Sequence, residues 1–194
     1  MKLFVIFFSV LLITESLYSQ NYNKNLVNNY ISLGAGITLP SGVFSNIGKS
    51  GYNILLNYTD ILSDVVAVRS ETSYHFIPFK KKPTDNTYHI LTIKGDILIG
   101  MFSSKSQFKP YGYAGVGYYD FATPEYNIID PYYGNSITIR KSNTGYIGFD
   151  IGVGSLYAIS PKFVMYAEAD YNLTFSKDNP INHIPFKVGL MFGI

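Results

Sequence analysis

Residues of two different characters alternate between Phe163 and Phe175. One parity carries Phe163, Met165, Ala167, Ala169, Tyr171, Leu173 and Phe175; the other carries Val164, Tyr166, Glu168, Asp170, Asn172 and Thr174. A strict period of two sends successive side chains to opposite faces of an extended chain and does not fit a helix. The arrangement recurs in Val65–Phe76, where Val66, Val68, Thr72, Tyr74 and Phe76 oppose Arg69, Glu71, Ser73 and His75. It recurs again in His89–Phe102, where Leu91, Ile93, Ile97, Ile99 and Met101 oppose Thr92, Lys94 and Asp96. Asp150 within Tyr146–Ile159 and Lys187 within Ile184–Ile194 likewise stand opposite an apolar parity.

Eight segments of this kind predict eight strands: Tyr30–Leu39, Gly51–Leu62, Val65–Phe76, Tyr88–Phe102, Phe108–Phe121, Gly145–Ile159, Lys162–Phe175 and Ile181–Ile194. At about ten to fourteen residues each they exceed ordinary globular strands and suit a tilted strand that crosses a bilayer with some projection beyond it. The connections alternate. Pro40–Ser50, Ile77–Thr87 and Ala122–Thr144 are long, Ser63-Asp64 and Ser160-Pro161 are tight, Ser103–Gln107 is intermediate and Ser176–Pro180 follows the seventh strand. Membrane barrels join their strands by short periplasmic turns and longer external loops, and an even strand count returns both termini to one side. The fold class expected is all-β: an eight-stranded antiparallel up-and-down transmembrane β-barrel, with periplasmic termini and extracellular long loops.

The fifth strand, FKPYGYAGVGYYDF, keeps three glycines among its aromatics. Glycine weakens a strand, so its retention marks a place where a face must stay empty. If Gly112, Ala114, Val116 and Tyr118 face lipid, then Gly115 and Gly117 leave two adjacent gaps on the inward parity of Tyr111, Tyr113 and Tyr119. Eight strands enclose an interior just wide enough for side chains to fill, so such gaps would admit a neighbouring tyrosine or an arginine. The opposite assignment, with the tyrosines outward, also satisfies the period. Gly34 and Gly36 in the first strand, and Gly148, Gly152 and Gly154 in the sixth, repeat the device.

Met1-Lys2, the apolar run Leu3–Ile13 and the more polar Thr14–Ser19 read as a secretory signal peptide over residues 1–19, with cleavage after Ser19 or, failing that, Ser16. The run is too short for a membrane helix. Residues 20–29 then form an N-terminal periplasmic segment and 30–194 the barrel domain, with no linker or internal repeat. The chain contains no cysteine, which excludes disulfides and an N-terminal lipid anchor on cysteine. Its net charge of +2, with charged residues scarce, gives no basis for nucleic-acid binding. Its 18 tyrosines and 14 phenylalanines, without tryptophan, would supply the aromatic girdles of a membrane barrel.

The segment GAGITLPSGVFS (34–45), then PYGYAGVGY (110–118) and the glycine-punctuated Phe186–Ile194 resemble the OmpA/OmpX-type outer membrane β-barrel family, particularly its Bacteroidetes-like versions. The resemblance covers essentially the whole mature chain. It implies a Gram-negative outer membrane location, contact with membrane lipids, and recognition of a terminal aromatic residue by the outer-membrane assembly machinery. Phe192 in the closing Phe192-Gly193-Ile194 is the residue that fits that signal. The peptidoglycan-binding domain that some members append is not expected here.

On the barrel reading Arg69, Glu71, Lys94, Asp96, Asp150, Glu168, Asp170 and Lys187 all share the interior. Isolated charges are prohibitive there, and paired, hydrogen-bonded ones tolerable. They are expected to form an ion-pair plug that closes the lumen and fills it structurally, rather than a gated pore or proton path. His75, His89 and His183 raise the question of a lipid A-modifying enzyme, since some small barrels use a histidine, a serine and a carboxylate at the external rim. Ser73 and His75 share a face, but no convergent nucleophile, base and orienting acid emerges, so no catalytic residue, cofactor or metal site is expected. The histidines read as rim residues making interfacial hydrogen bonds. Lys80, Lys81 and Lys82 in the second long loop are placed to touch lipopolysaccharide phosphates. The third long loop, with Tyr132 and Tyr133, is either a contact surface for a partner or two strand extensions paired with each other.

Together these features indicate an integral outer membrane barrel with a structural, envelope-stabilising or surface-interaction role and no open pore. The competing readings are a lipid A-modifying barrel enzyme and a secreted lipocalin-like binder of a small apolar ligand. In the last case the two parities would exchange their environments.

Overall fold

The computed structural model describes residues 27–80, 86–103, 106–129, 136–175 and 180–194. The leader expected over residues 1–19 lies outside them, as do Lys81, Lys82, Tyr132 and Tyr133. The elements in order are β1 (Asn29–Pro40), a 3-10 turn (Gly42–Asn46), β2 (Gly51–Ile61), β3 (Val66–Pro78), β4 (Thr87–Gly100), β5 (Phe108–Thr123), β6 (Tyr126–Ile129), β7 (Ser136–Ile139), β8 (Ser142–Ser160), β9 (Phe163–Thr174) and β10 (His183–Gly193).

Eight of these strands close into one barrel in the order β1-β10-β9-β8-β5-β4-β3-β2, every neighbour antiparallel. The seam joins the first strand to the last, from Tyr30 opposite Gly193 to Pro40 opposite His183. Closure leaves no open sheet edge along the wall, the condition a β-structure must meet in hydrocarbon. The eight expected strands are all present. In the third long loop more structure forms than the strand pattern required: β5 and β8 keep pairing outward to Thr123 and Ser142, and β6 and β7 form a separate two-stranded ribbon. The paired strand extensions expected as one reading of that loop are present among its described residues.

The parities fall as alternation demands, inside out relative to a water-soluble protein. Ala167, Ile93 and Val68 lie on the outer surface, whereas Glu168, Lys94 and Arg69 are buried against the barrel axis. Val116 and Val153 remain 62 % and 66 % accessible, which for apolar residues on a closed wall identifies the lipid-facing side. In the fifth strand Tyr111, Tyr113 and Tyr119 point inward and Tyr118 outward.

The interior is stacked in layers. Nearest the short turns lies an apolar layer that includes Ala67, Leu98, Phe102, Leu156, Val164 and Met191. The charged residues occupy the middle. Above them comes a neutral polar tier of Thr38, Asn53, Ser73, His75, Asn172 and His183, all buried. A second apolar cluster, Phe44, Ile77, Phe79, Tyr88, Ile90, Tyr119 and Ile181, closes the end from which the long loops leave. Phe44 reaches that cluster from the 3-10 turn after β1, its ring edge-on to Tyr88 at 5.8 Å and Phe121 at 5.7 Å. The first long loop thereby lids the barrel mouth.

Candidate functional site

Strand pairing brings the charges together before any side chain bends. Arg69 on β3 stands directly opposite Asp96 on β4, and Glu71 directly opposite Lys94. Lys187 on β10 stands directly opposite Glu168 on β9. Opposite charges at such positions are neighbours on one face. The remaining contacts cross the lumen, which an eight-stranded barrel is narrow enough to allow.

Arg69 uses its fork: Nε and Nη2 donate to Asp96 Oδ2 at 2.8 and 2.6 Å, and Nη1 donates to Glu168 Oε1. Lys94 Nζ lies 3.0 Å from both Asp150 Oδ2 and Asp170 Oδ2, and 3.4 Å from Glu71 Oε1. Lys187 Nζ lies 3.0 Å from Glu71 Oε2, 3.1 Å from Asp170 Oδ1 and 3.3 Å from Glu168 Oε2. Each of the three cations therefore meets at least two carboxylates, and the eight charged residues named from the sequence form one connected network. All eight are buried. Pairing and multiple hydrogen bonds offset the cost of removing them from water, whereas losing one member would strand its partners.

Neutral residues that the alternation did not single out complete the network. Tyr111 Oη donates to Glu168, and Arg69 stacks over the Tyr113 ring with its guanidinium carbon 4.5 Å from the centroid. Asn172 Nδ2 donates to Asp170 Oδ2 at 3.1 Å while Tyr119 Oη donates to Asn172 Oδ1 at 2.8 Å. The signal for them was inward parity in the fifth and seventh strands.

The glycine gaps are occupied differently from the expectation. A Cβ added at Gly115 would meet Asp96 Oδ1 at 2.1 Å and Asp150 Oδ1 at 3.0 Å, and one at Gly117 would meet the Lys94 stem. Ion-pair members, not a tyrosine or an arginine, fill these two gaps, because cross-strand register puts Asp96 and Asp150 opposite Gly115 and Lys94 opposite Gly117. The tyrosines use other glycines: Tyr113 and Tyr111 sit over Gly152 and Gly154, and Tyr166 over Gly34 and Gly189.

Two of the three histidines depart from the rim reading. His75 and His183 are buried inside the barrel with ring centroids 4.9 Å apart. His75 Nδ1 is 2.8 Å from Thr38 Oγ1 and its Nε2 is 3.1 Å from Ser73 Oγ; His183 Nδ1 is 3.3 Å from the Ile181 carbonyl. Strand parity pointed inward at His75, and the packed lid above it keeps the site from the surface. Ser73 and His75 do touch, but His75 is oriented by a hydroxyl rather than a carboxylate, and both residues are buried. His89 faces outward among Tyr74 and Phe76. Among the described residues no group of three or more histidines and carboxylates has metal-binding geometry.

Lys80 lies on the loop side, its Nζ donating to the Ser45 carbonyl at 3.0 Å. Phe192 faces outward with its ring 5.3 Å from that of Phe163. Neither joins the interior network.

Known barrels share this architecture. Neisserial surface protein A superposes with a TM-score of 0.57 at 15 % identity, covering 86 % of this chain and 97 % of that one. A major outer membrane protein of Thermus thermophilus gives 0.56 at 13 %, covering 86 % and 99 %. Ail, the attachment invasion locus protein of Yersinia pestis, crystallised with the heparin analogue sucrose octasulfate, gives 0.50 at 15 %, covering 86 % and 99 %. No curated protein matches the chain in sequence. With a sealed barrel, a lipid-facing apolar wall and a sequence-family model matching residues 8–192, the chain belongs to the outer membrane protein beta-barrel domain family.

Proposed function

We propose that this protein is a closed barrel of the outer membrane that stabilises the envelope or presents its loops for surface interaction, and that it conducts no ions. The observation that carries this reading is the filled interior. Beside Arg69 and Glu168 lies a cavity of about 10 Å3, room for roughly one water molecule. At the short-turn end lies a vestibule of about 330 Å3, lined in part by Lys109, Gln107, Pro161, Phe102, Leu156 and Met191.

On this reading residues 1–19 are an export leader, the termini and short turns face the periplasm and the long loops face outward. Phe192 serves as the assembly signal. Lys80, with Lys81 and Lys82, meets lipopolysaccharide phosphates, each adding roughly 1 kcal/mol of attraction as basic residues do at anionic membranes. The polyanion bound by Ail lends this contact an analogy. The buried Ser73–His75 pair supports a non-catalytic role.

Planar-bilayer recording tests the reading directly: the purified protein should give no stable channel steps, and steady nanosiemens-scale conductance would overturn it. Extraction by carbonate or salt without detergent would overturn the membrane placement itself.

A further inference from the structure

Two acceptors within the ionic layer are left over. Asp96 Oδ1 and Asp150 Oδ1 are enclosed and have no hydrogen-bond partner, although the second oxygen of each residue is engaged: Asp96 Oδ2 by Arg69, and Asp150 Oδ2 by Lys94 at 3.0 Å. Cross-strand register sets both residues opposite Gly115 of β5, Asp96 from β4 and Asp150 from β8. Gly115 has no side chain to part them, and both bare oxygens lean over the point where its Cβ would stand. Asp150 is wholly inaccessible and Asp96 is 3 % accessible.

The cations of the layer are directed elsewhere. Lys94 is divided among Asp150, Asp170 and Glu71, and Lys187 among Glu71, Asp170 and Glu168. Arg69 forks onto Asp96 Oδ2 and Glu168. The neighbouring neutral donors are also taken, Tyr119 Oη by Asn172 Oδ1 and Asn172 Nδ2 by Asp170 Oδ2. Three cations thus face five carboxylates, and two of the five turn bare oxygens towards one space that holds little polarisable solvent. Two carboxylates so placed do not both stay ionised, because like charges at close range in a low dielectric repel strongly.

We infer that Asp96 and Asp150 form a proton-binding site, in which one proton is carried on Asp150 Oδ1 and donated to Asp96 Oδ1. A single proton there turns two bare acceptors into one charge-assisted hydrogen bond, which a proton on any other carboxylate of the layer would not do. Asp150 is the carrier because its cation, Lys94, is shared with two other carboxylates, whereas Asp96 receives two bonds from the Arg69 fork and keeps its charge. The bond latches β4 to β8 across the glycine of β5 and lowers the negative excess of the layer by one charge. The inference rests on the sealed lumen of the preceding reading and adds to it the protonation state of the plug.

The test uses the whole barrel in detergent micelles, its aspartates labelled with carbon-13 at the side-chain carboxyl, and isotope-edited infrared spectra recorded at neutral pH. The wild-type spectrum minus that of Asp150→Asn should contain the C=O band of a protonated carboxyl, displaced in heavy water. Asparagine has the shape of a protonated aspartate and its amide donates the same bond, so Asp150→Asn should fold and unfold at the wild-type urea midpoint. Asp96→Asn deprives Arg69 of a charged partner and should lower that midpoint. A wild-type spectrum without the protonated band, or an Asp150→Asn barrel that fails to fold or unfolds early, would overturn the site. A spectrum that changes when sodium is replaced by choline would also overturn it, by assigning the space to a metal cation. Steady conductance across a planar bilayer would sink the sealed lumen itself, whereas a missing band in a non-conducting barrel would sink the shared proton alone.

Discussion

Lys187 on β10 reaches across the lumen to Glu71 on β3, its Nζ 3.0 Å from Oε2, although neither strand neighbours the other in the wall. The contact ties opposite sides of the barrel through its centre. It also shows why the interior charges act as a unit: the same ammonium serves Glu168 and Asp170.

Replacing Lys187 by Met keeps the volume and removes the charge, leaving five buried carboxylates to two cations. Breaking a buried network this way should cost about 3–5 kcal/mol. Urea unfolding in detergent, followed by tyrosine fluorescence because the chain has no tryptophan, measures it. Adding Glu71→Gln should recover part of the loss, since one stranded charge is then neutral.

Gly115 and Gly95 make a matched pair. Gly115→Ala would force its methyl into Asp96 and Asp150, whereas a Cβ at Gly95 meets nothing within 4 Å. Gly115→Ala should therefore destabilise by about 1–3 kcal/mol, as overpacked cores do. Gly95→Ala should be neutral or stabilising by up to about 1 kcal/mol, through reduced freedom of the unfolded chain. Equal effects of the two substitutions on the unfolding midpoint would show that the gap has no packing role.

Phe44 is the plug of the loop-side mouth. Phe44→Ala should lower stability by about 3 kcal/mol, near the lower bound for a buried aromatic. Amide hydrogen exchange should rise first around Tyr88 and Phe121, the rings that lose their partner.

Val116 lies on the lipid side at the level of the ionic layer, flanked by Gly95 and Phe149. Val116→Arg should cost about 2–4 kcal/mol, the range for arginine near a bilayer midplane. Refolding into phospholipid vesicles reads this out. A cost near zero would place Val116 away from hydrocarbon.

What was legible in the sequence was whatever depends on period and length. The two-residue alternation in Phe163–Phe175 and Val65–Phe76 specified strands and separated Glu168 and Arg69 from Ala167 and Val68, because a side chain's face in a strand is a local property of the backbone. Strand length pointed to a bilayer, and all eight lumen charges followed from parity alone.

Register and closure belonged to the tertiary structure. That Lys187 meets Glu71 across the lumen, that Asp96 and Asp150 rather than an aromatic occupy the space at Gly115, and that His75 lies beneath a lid led by Phe44 all depend on how far each strand is shifted against its neighbours. A shift of two residues preserves every face assignment while changing every partner. Alternation along one strand therefore says which residues enter the interior, and only the closed barrel, with its seam from Tyr30 to Pro40 against β10, determines which of them touch.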